Sequence, residues 1–247
     1  MATAILSSID RNIYAVEGRL TVERSAFDHV EAGAKLVIVG ITPGAQQRDL
    51  ADAALASALS RGQGAVDASR NAKFAASFGG KMRTNLVRML DHVGATQAIG
   101  LTTFSQAFEP TTRGLVHFTS ALRYPVFLDG ENYNGQIPML GSPLLRRMIE
   151  TLLAEEVRAL PGAVWQPLGD KPAAALDHLV GLGALTRSQV APALPHPSGA
   201  NAERITYFLG GKPAAKLSPK TNASKLDALR GALATFYADR DLSGRRV

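Results

Sequence analysis

The stretch LPHPSGANAERI (194–205) sets one imidazole between two prolines and follows it with small residues. Pro195 and Pro197 restrict the backbone on both sides of His196, so the ring is aimed before any ligand arrives. Ser198 and Gly199 then offer a hydroxyl and bare amides. Asn201 is placed to cap a helix starting at Ala202, with Glu203 in the first turn, where the helix dipole favours an acid. Backbone amides at such a terminus suit a phosphate. The plainer alternative is a histidine that closes a loop. A second stretch, GITPGAQQ (40–47), has Gly40 and Gly44 for a tight turn and close approach to a ligand, with Pro43 fixing the path between them. Its plainer alternative is an ordinary strand-to-helix turn.

Both stretches need strands to carry them. KLVIVG (35–40) is a short β-branched run ending in glycine. GLVHFTS (114–120), AVWQPLG (163–169) and QVAPALP (189–195) are further strands, the last two trimmed by proline. Helical patterns lie between them. DLADAALASALSRG (49–62) is alanine-rich, and KMRTNLVRMLDHVG (81–94) puts Leu86, Met89, Leu90 and Val93 on one face. LLRRMIETLLAEEV (144–157), KPAAALDHLVGLG (171–183) and a last helix over 222–238, with Leu226, Leu229, Leu233 and Phe236 facing one way, complete the set. Strands alternating with helices predict an α/β fold: a three-layer α/β/α sandwich on a central four-stranded, mainly parallel sheet, in a single domain over 1–247. In such sheets ligands sit beyond the carboxyl ends of the strands, where both stretches fall.

Composition narrows the chemistry. Lys plus Arg is 27 against 21 acids, giving +6, so an anionic partner is favoured, although the basic residues are dispersed. There is no cysteine, which excludes disulfides, thiol nucleophiles and cysteine-held clusters. The N-terminal MATAILSSIDRNIYAVEG meets Asp10 and Arg11 too early for a secretory core, and no apolar run reaches the ~18 residues of a membrane span. A soluble cytoplasmic protein is expected, with no membrane partner.

A glycine–proline turn after the first strand and HPS after the last resemble the uracil-DNA glycosylase superfamily, whose members carry G-x-(D/N)-P or G-E-A-P-G in the first loop and H-P-S in the second. SFGGKMRTNLVRMLDHVGA (77–95) is similar to a segment of the iron–sulfur branch, with Phe78, Gly80 and a helix from Lys81 matching in order. HFTSALRYP (117–125) resembles the family strand ending in threonine–asparagine, and residues 144–176 resemble its helix–strand–LG unit. The likeness spans residues 35 to 210 and is closest in layout to that branch, without its cysteines.

The resemblance implies a monofunctional N-glycosidic hydrolase of base excision repair, which flips out uracil or a related deaminated base and cuts its bond to deoxyribose. His196 would stabilise the leaving base. Phe78 would stack on it, with Gly80 leaving room, and Gly40, Ile41, Pro43, Gly44 and Ser120 would line the base site; a core role is the alternative for Phe78. Ser198, Gly199, Ala200, Lys81 and Arg204 would hold DNA phosphates. The implied partner is damaged DNA, bound by a nucleoid-associated monomer with no cofactor and no metal.

Several positions depart from the family pattern. Thr42 stands where relatives have aspartate or asparagine, and Ile41 where the iron–sulfur branch has glutamate. A hydroxyl is no general base near neutral pH, so Thr42 is expected to position water and turnover to be slow. Ser120 replaces the asparagine that reads the pyrimidine edge; Asn132 or Asn134 in GENYNG is a candidate for the missing amide. Gly44 stands where the most uracil-strict branch has tyrosine. GANA after HPS lacks the bulky wedge of some relatives.

Other chemistries find little support. His29, His92, His117 and His178 lack metal-ligand spacing, neither GGK segment has the P-loop glycine, and G-x-S-x-G and G-x-G-x-x-G are absent. The alternative kept is a relative that binds damaged or single-stranded DNA without cutting it, as the missing carboxylate would allow.

Overall fold

The β-branched run at Val37, Ile38 and Val39 becomes the central strand of a three-stranded sheet, with all three side chains fully buried. The computed structural model describes residues 12–243. The reading of the N-terminus as no secretory core falls largely on residues 1–11, outside that range. The strands are β1 (Ile13–Glu17), β2 (Leu20–Glu23), β3 (Leu36–Gly40), β4 (Val116–Ser120), β5 (Val126–Leu128), β6 (Glu131–Asn132) and β7 (Val164–Pro167). The helices are α1 (Ala45–Ser60), α2 (Ala65–Ala76), α3 (Gly80–His92), α4 (Ala95–Ala98), α5 (Pro143–Met148), α6 (Ala154–Ala159), α7 (Asp170–Gly181), α8 (Ala202–Phe208) and α9 (Ala223–Ala238). They form two compact units, each assembled from separated stretches of chain. One takes residues up to Val30 with Ile41–Ser77 and Ser120–Glu155; the other takes Glu31–Gly40, Phe78–Thr119 and the chain from Glu156 onward.

The second unit holds the sheet β4-β3-β7, with β3 and β7 parallel and in register from Leu36↔Val164 to Val39↔Pro167. The mixed α/β class follows the sequence pattern, but the sheet has three strands where four were expected. The fourth stretch is reduced to isolated bridges, Trp165↔Val190 and Leu168↔Leu194. Pro192 has no N–H to give a ladder, which is why pairing fails between them. The buried Gln166 side chain fills the gap: its amide nitrogen donates to the carbonyls of Pro192 (2.9 Å) and Pro167 (3.0 Å), and its oxygen accepts from Tyr237 Oη at 2.7 Å. Leu86, Met89 and Leu90 of α3 are buried as their spacing predicts. On α9 the buried set is Leu226, Leu233 and Tyr237, so Tyr237 is buried where Phe236 was expected, and Leu229 and Phe236 are only half-buried.

The first unit is built on a sheet absent from the sequence reading, the antiparallel order β1-β2-β5-β6. Gly18, with φ 56°, turns the β1–β2 hairpin, and β2 pairs with β5 through Leu20↔Leu128 and Val22↔Val126. Phe27, Ala51, Ala72 and Ala76 form an apolar cluster in which α1 packs against α2, a helix also missed. Arg48 bridges Glu23 at 2.5 Å, and both side chains are almost wholly buried. The helix expected over 144–157 is α5, a π-helical turn (Ile149–Leu153) and α6, opened by the Ser142 hydroxyl, which accepts from Leu145 N–H at 3.2 Å. Among the described residues no helix is long and apolar enough to cross a membrane.

Candidate functional site

The backbone entering the HPS loop is fastened to the end of β7. Leu194 N–H donates to Pro167 O (3.0 Å), and Gly169 N–H donates to Leu194 O (2.7 Å). Gly169 has φ 92°, a value that favours glycine, and a Cβ there would make only ordinary contact with His196 Cβ at 3.6 Å. The conformation, rather than the space, selects glycine. Beyond it, Ser198 N–H donates to His196 Nδ1 at 3.3 Å. That bond makes Nδ1 the acceptor and leaves Nε2 as the N–H of the neutral ring. Burial holds the imidazole pKa below the ordinary histidine value, so the ring is neutral near pH 7. The arrangement presents an uncharged donor with a set tautomer.

Asn85 Nδ2 of α3 donates to Pro197 O at 3.0 Å and ties the same loop to that helix. Sequence reading missed Asn85; its position one residue before the apolar face of α3 is the signal that was available. After the loop, Ser198 is half-buried while Gly199 and Ala200 are exposed. The expected helix cap is not formed. A 3-10 turn (Gly199–Asn201) precedes α8, and Asn201 Oδ1 accepts from Arg204 Nη1 at 3.1 Å instead of from the helix amides. The same guanidinium reaches Lys220 O at 3.3 Å. Glu203 accepts from Lys212 Nζ (2.6 Å), from the Ser218 hydroxyl (2.6 Å) and amide (3.1 Å), and from the Thr221 hydroxyl (2.6 Å). Those donors pull its pKa down to about 2, so the carboxylate pins the 212–221 stretch onto α8.

Phe78 leads into α3 with φ 47°, in the left-handed region. For a bulky side chain this costs on the order of 1–3 kcal/mol unless the surroundings enforce it. Its ring meets Phe118 edge-on, with centroids 5.7 Å apart, and Phe118 stacks on Phe108 at 4.9 Å and 16°. Phe78 is half-buried, which leaves part of it exposed, and Gly80 faces open space with nothing within 4 Å of a would-be Cβ. Lys81 is exposed in the first turn of α3. Within this unit, then, the structure links Phe78, α3 and the HPS loop. Arg204 is engaged locally.

In the other unit, the loop leaving β3 is tightly bonded. Ile41 O accepts from Leu122 N–H at 3.0 Å. The Thr42 hydroxyl donates to Tyr124 O (2.9 Å) and accepts from Val126 N–H (3.1 Å). Its only proton and one lone pair are therefore committed to backbone. Gly44 N–H donates to Gln47 Oε1 (3.1 Å) and Ala45 N–H to Asn132 Oδ1 (2.8 Å). A Cβ on Gly44 would lie 3.5 Å from that Asn132 oxygen. Asn132 is thus beside Gly44, while Asn134 N–H is bonded to Gln136 Oε1 at 2.9 Å. Ser120, like Gly40, is half-buried at the end of its strand.

His117 belongs to the core: Nε2 lies 2.9 Å from Glu156 Oε2, and Nδ1 accepts from Glu31 N–H at 3.4 Å. Among the described residues no group of three or more histidine or acidic side chains is arranged to hold a metal ion.

An uncharacterized protein of Bacillus subtilis, YoxB, is 34% identical over 187 residues, which cover 75% of this chain and 73% of that protein. No family model matches the chain, and no solved structure matches it.

Proposed function

We infer the function from the site alone, since the chain belongs to the family of YoxB, an uncharacterized protein whose name carries no activity. We propose a monofunctional DNA glycosylase of base excision repair that flips out uracil or a related deaminated base and hydrolyses its bond to deoxyribose. The observation that carries this reading is the state of His196: a neutral imidazole between two prolines, its Nδ1 occupied by Ser198 N–H. As the bond breaks, the base gains negative charge and the sugar becomes cationic. The Nε2–H stabilises the base without a proton transfer, an effect worth about 3–4 kcal/mol for one such donor.

Phe78 stacks on the extruded base, with room beside Gly80. Thr42 keeps one lone pair, enough to accept from a water and orient it but not to deprotonate it, so turnover is slow. Ser198, Gly199, Ala200, Lys81 and Arg204 contact phosphates, and binding weakens steeply with salt. The fold that accompanies this reading is the three-layer sandwich, with residues 190–194 as a rudimentary fourth strand. The protein acts as a cytoplasmic, nucleoid-associated monomer.

One observation favours a second reading. The committed Thr42 hydroxyl fits a relative that binds damaged or single-stranded DNA without cutting it. Incubating the protein with a labelled uracil-containing oligonucleotide, then alkali, separates the two. Scission at the uracil supports the glycosylase, and binding without scission supports the binder. Hypoxanthine, xanthine and thymine mismatches run in parallel define the substrate.

A further inference from the structure

Phe78 and Asp129 are the non-glycine residues with positive φ among the described chain, and aspartate tolerates that conformation far better than phenylalanine does. Something must hold Phe78 there. Arg83 Nε donates to Phe78 O at 2.7 Å, and the Arg83 guanidinium carbon lies 4.3 Å from the centre of the Phe108 ring. Phe108 stacks on Phe118, and Phe118 receives the edge of Phe78. The contacts close a circuit: one guanidinium grips the Phe78 backbone and backs the aromatic stack against which the Phe78 ring rests. Arg83 also sits near the N-terminal end of α3, where the dipole disfavours a cation and the first turn carries no acid to offset it. These two contacts favour its position there.

We propose that Arg83 is a positioning residue: it holds Phe78 in the left-handed conformation that presents its ring to a planar nucleobase. The identity of the stacked partner rests on the glycosylase reading; the clamp does not. A lysine has neither the planar fork nor the delocalised face to make both contacts at once, so a role in charge alone is separable from the clamp.

The experiment compares Arg83→Gln, Arg83→Lys, Phe78→Ala and the double variant Phe78→Ala/Arg83→Gln. Amide hydrogen exchange across residues 78–82, without DNA, reads the clamp directly. Exchange is expected to rise in Arg83→Gln and to be only partly restored by lysine. Cleavage of a uracil duplex carrying 2-aminopurine beside the uracil reads its consequence. Arg83→Gln is expected to raise KM and reduce the flipping fluorescence by about 10-fold, with a smaller change in kcat, and to add nothing in the Phe78→Ala background. Unchanged exchange, full rescue by lysine, or additive losses in the double variant overturn the proposal. Should the parent protein neither bind nor cut uracil DNA, the glycosylase reading falls, while the exchange measurements still decide the clamp.

Discussion

The loop that follows β3 and the loop that follows residues 190–194 differ in what their polar groups have left to offer. In the HPS loop, Ser198 N–H occupies one nitrogen of His196 and thereby fixes the other as a donor. In the loop after β3, the Thr42 hydroxyl is taken up by Tyr124 O and Val126 N–H, and Gly44 and Ala45 N–H by Gln47 and Asn132 side chains. One loop keeps a group in reserve; the other is consumed in holding its own shape. A motif position can thus be filled by a residue whose main work is architectural, and only the hydrogen-bond partners tell the two cases apart.

The sharpest way to break this contrast is His196→Ala. It should lower single-turnover cleavage of uracil DNA by about 100- to 1000-fold while leaving the melting temperature close to that of the parent. An unchanged rate would remove the reserved donor from the comparison. The pH profile refines the same point. Burial lowers the His196 pKa, so below the ordinary histidine value of about 6.5 the unfolded chain takes up the proton first. Stability should therefore fall as pH drops from there towards the folded-state value. Protonation would also force Nδ1 to give up Ser198 N–H, so cleavage should decline over the acid limb and stay flat above it.

Thr42→Val probes the other loop. It removes both backbone bonds at nearly constant volume and should destabilise the protein by about 1–3 kcal/mol in a denaturant melt. If the architectural account holds, cleavage by the folded variant falls far less than in His196→Ala; Thr42→Ala cutting at the parent rate would end any role in positioning water. Glu203 is a still more heavily committed group. With its pKa held near 2, its carboxylate stabilises the fold fully above the ordinary carboxylate range, and that stability is lost as pH falls through the folded value. Glu203→Gln should melt a few degrees below the parent at pH 7, with the gap closing towards pH 2. The smallest effect belongs to Gly80→Ala. Open space surrounds the position, so its φ of 52° alone sets the cost, about 1 kcal/mol by thermal melt.

The parts legible in the sequence were those whose signal is local. Val37–Val39 announces a buried strand, and the spacing of Leu86, Met89 and Leu90 announces the apolar face of α3. The antiparallel sheet was not legible, because β2 finds β5 across a long intervening stretch and both strands are too short to show alternation. α2 escaped because its buried face is made of alanines and the stem of Lys73 rather than large apolar residues. Residues 189–195 read as a strand on β-branched and apolar content, but Pro192 withdraws the donor a ladder needs. At the site, the residue types around His196 pointed to a donor, whereas the occupation of Thr42 depends on Tyr124 and Val126, which no spacing rule connects to it. Asn201 was read as a cap on composition alone; Arg204 competes for its oxygen and wins.

Gln166 carries a consequence of its own. Because one primary amide bonds both the Pro192 carbonyl and the Tyr237 phenol, the last helix is in mechanical communication with the strap that ends at the imidazole. Loosening the chain's C-terminal helix should register as disorder four residues upstream of His196, through a fully buried side chain.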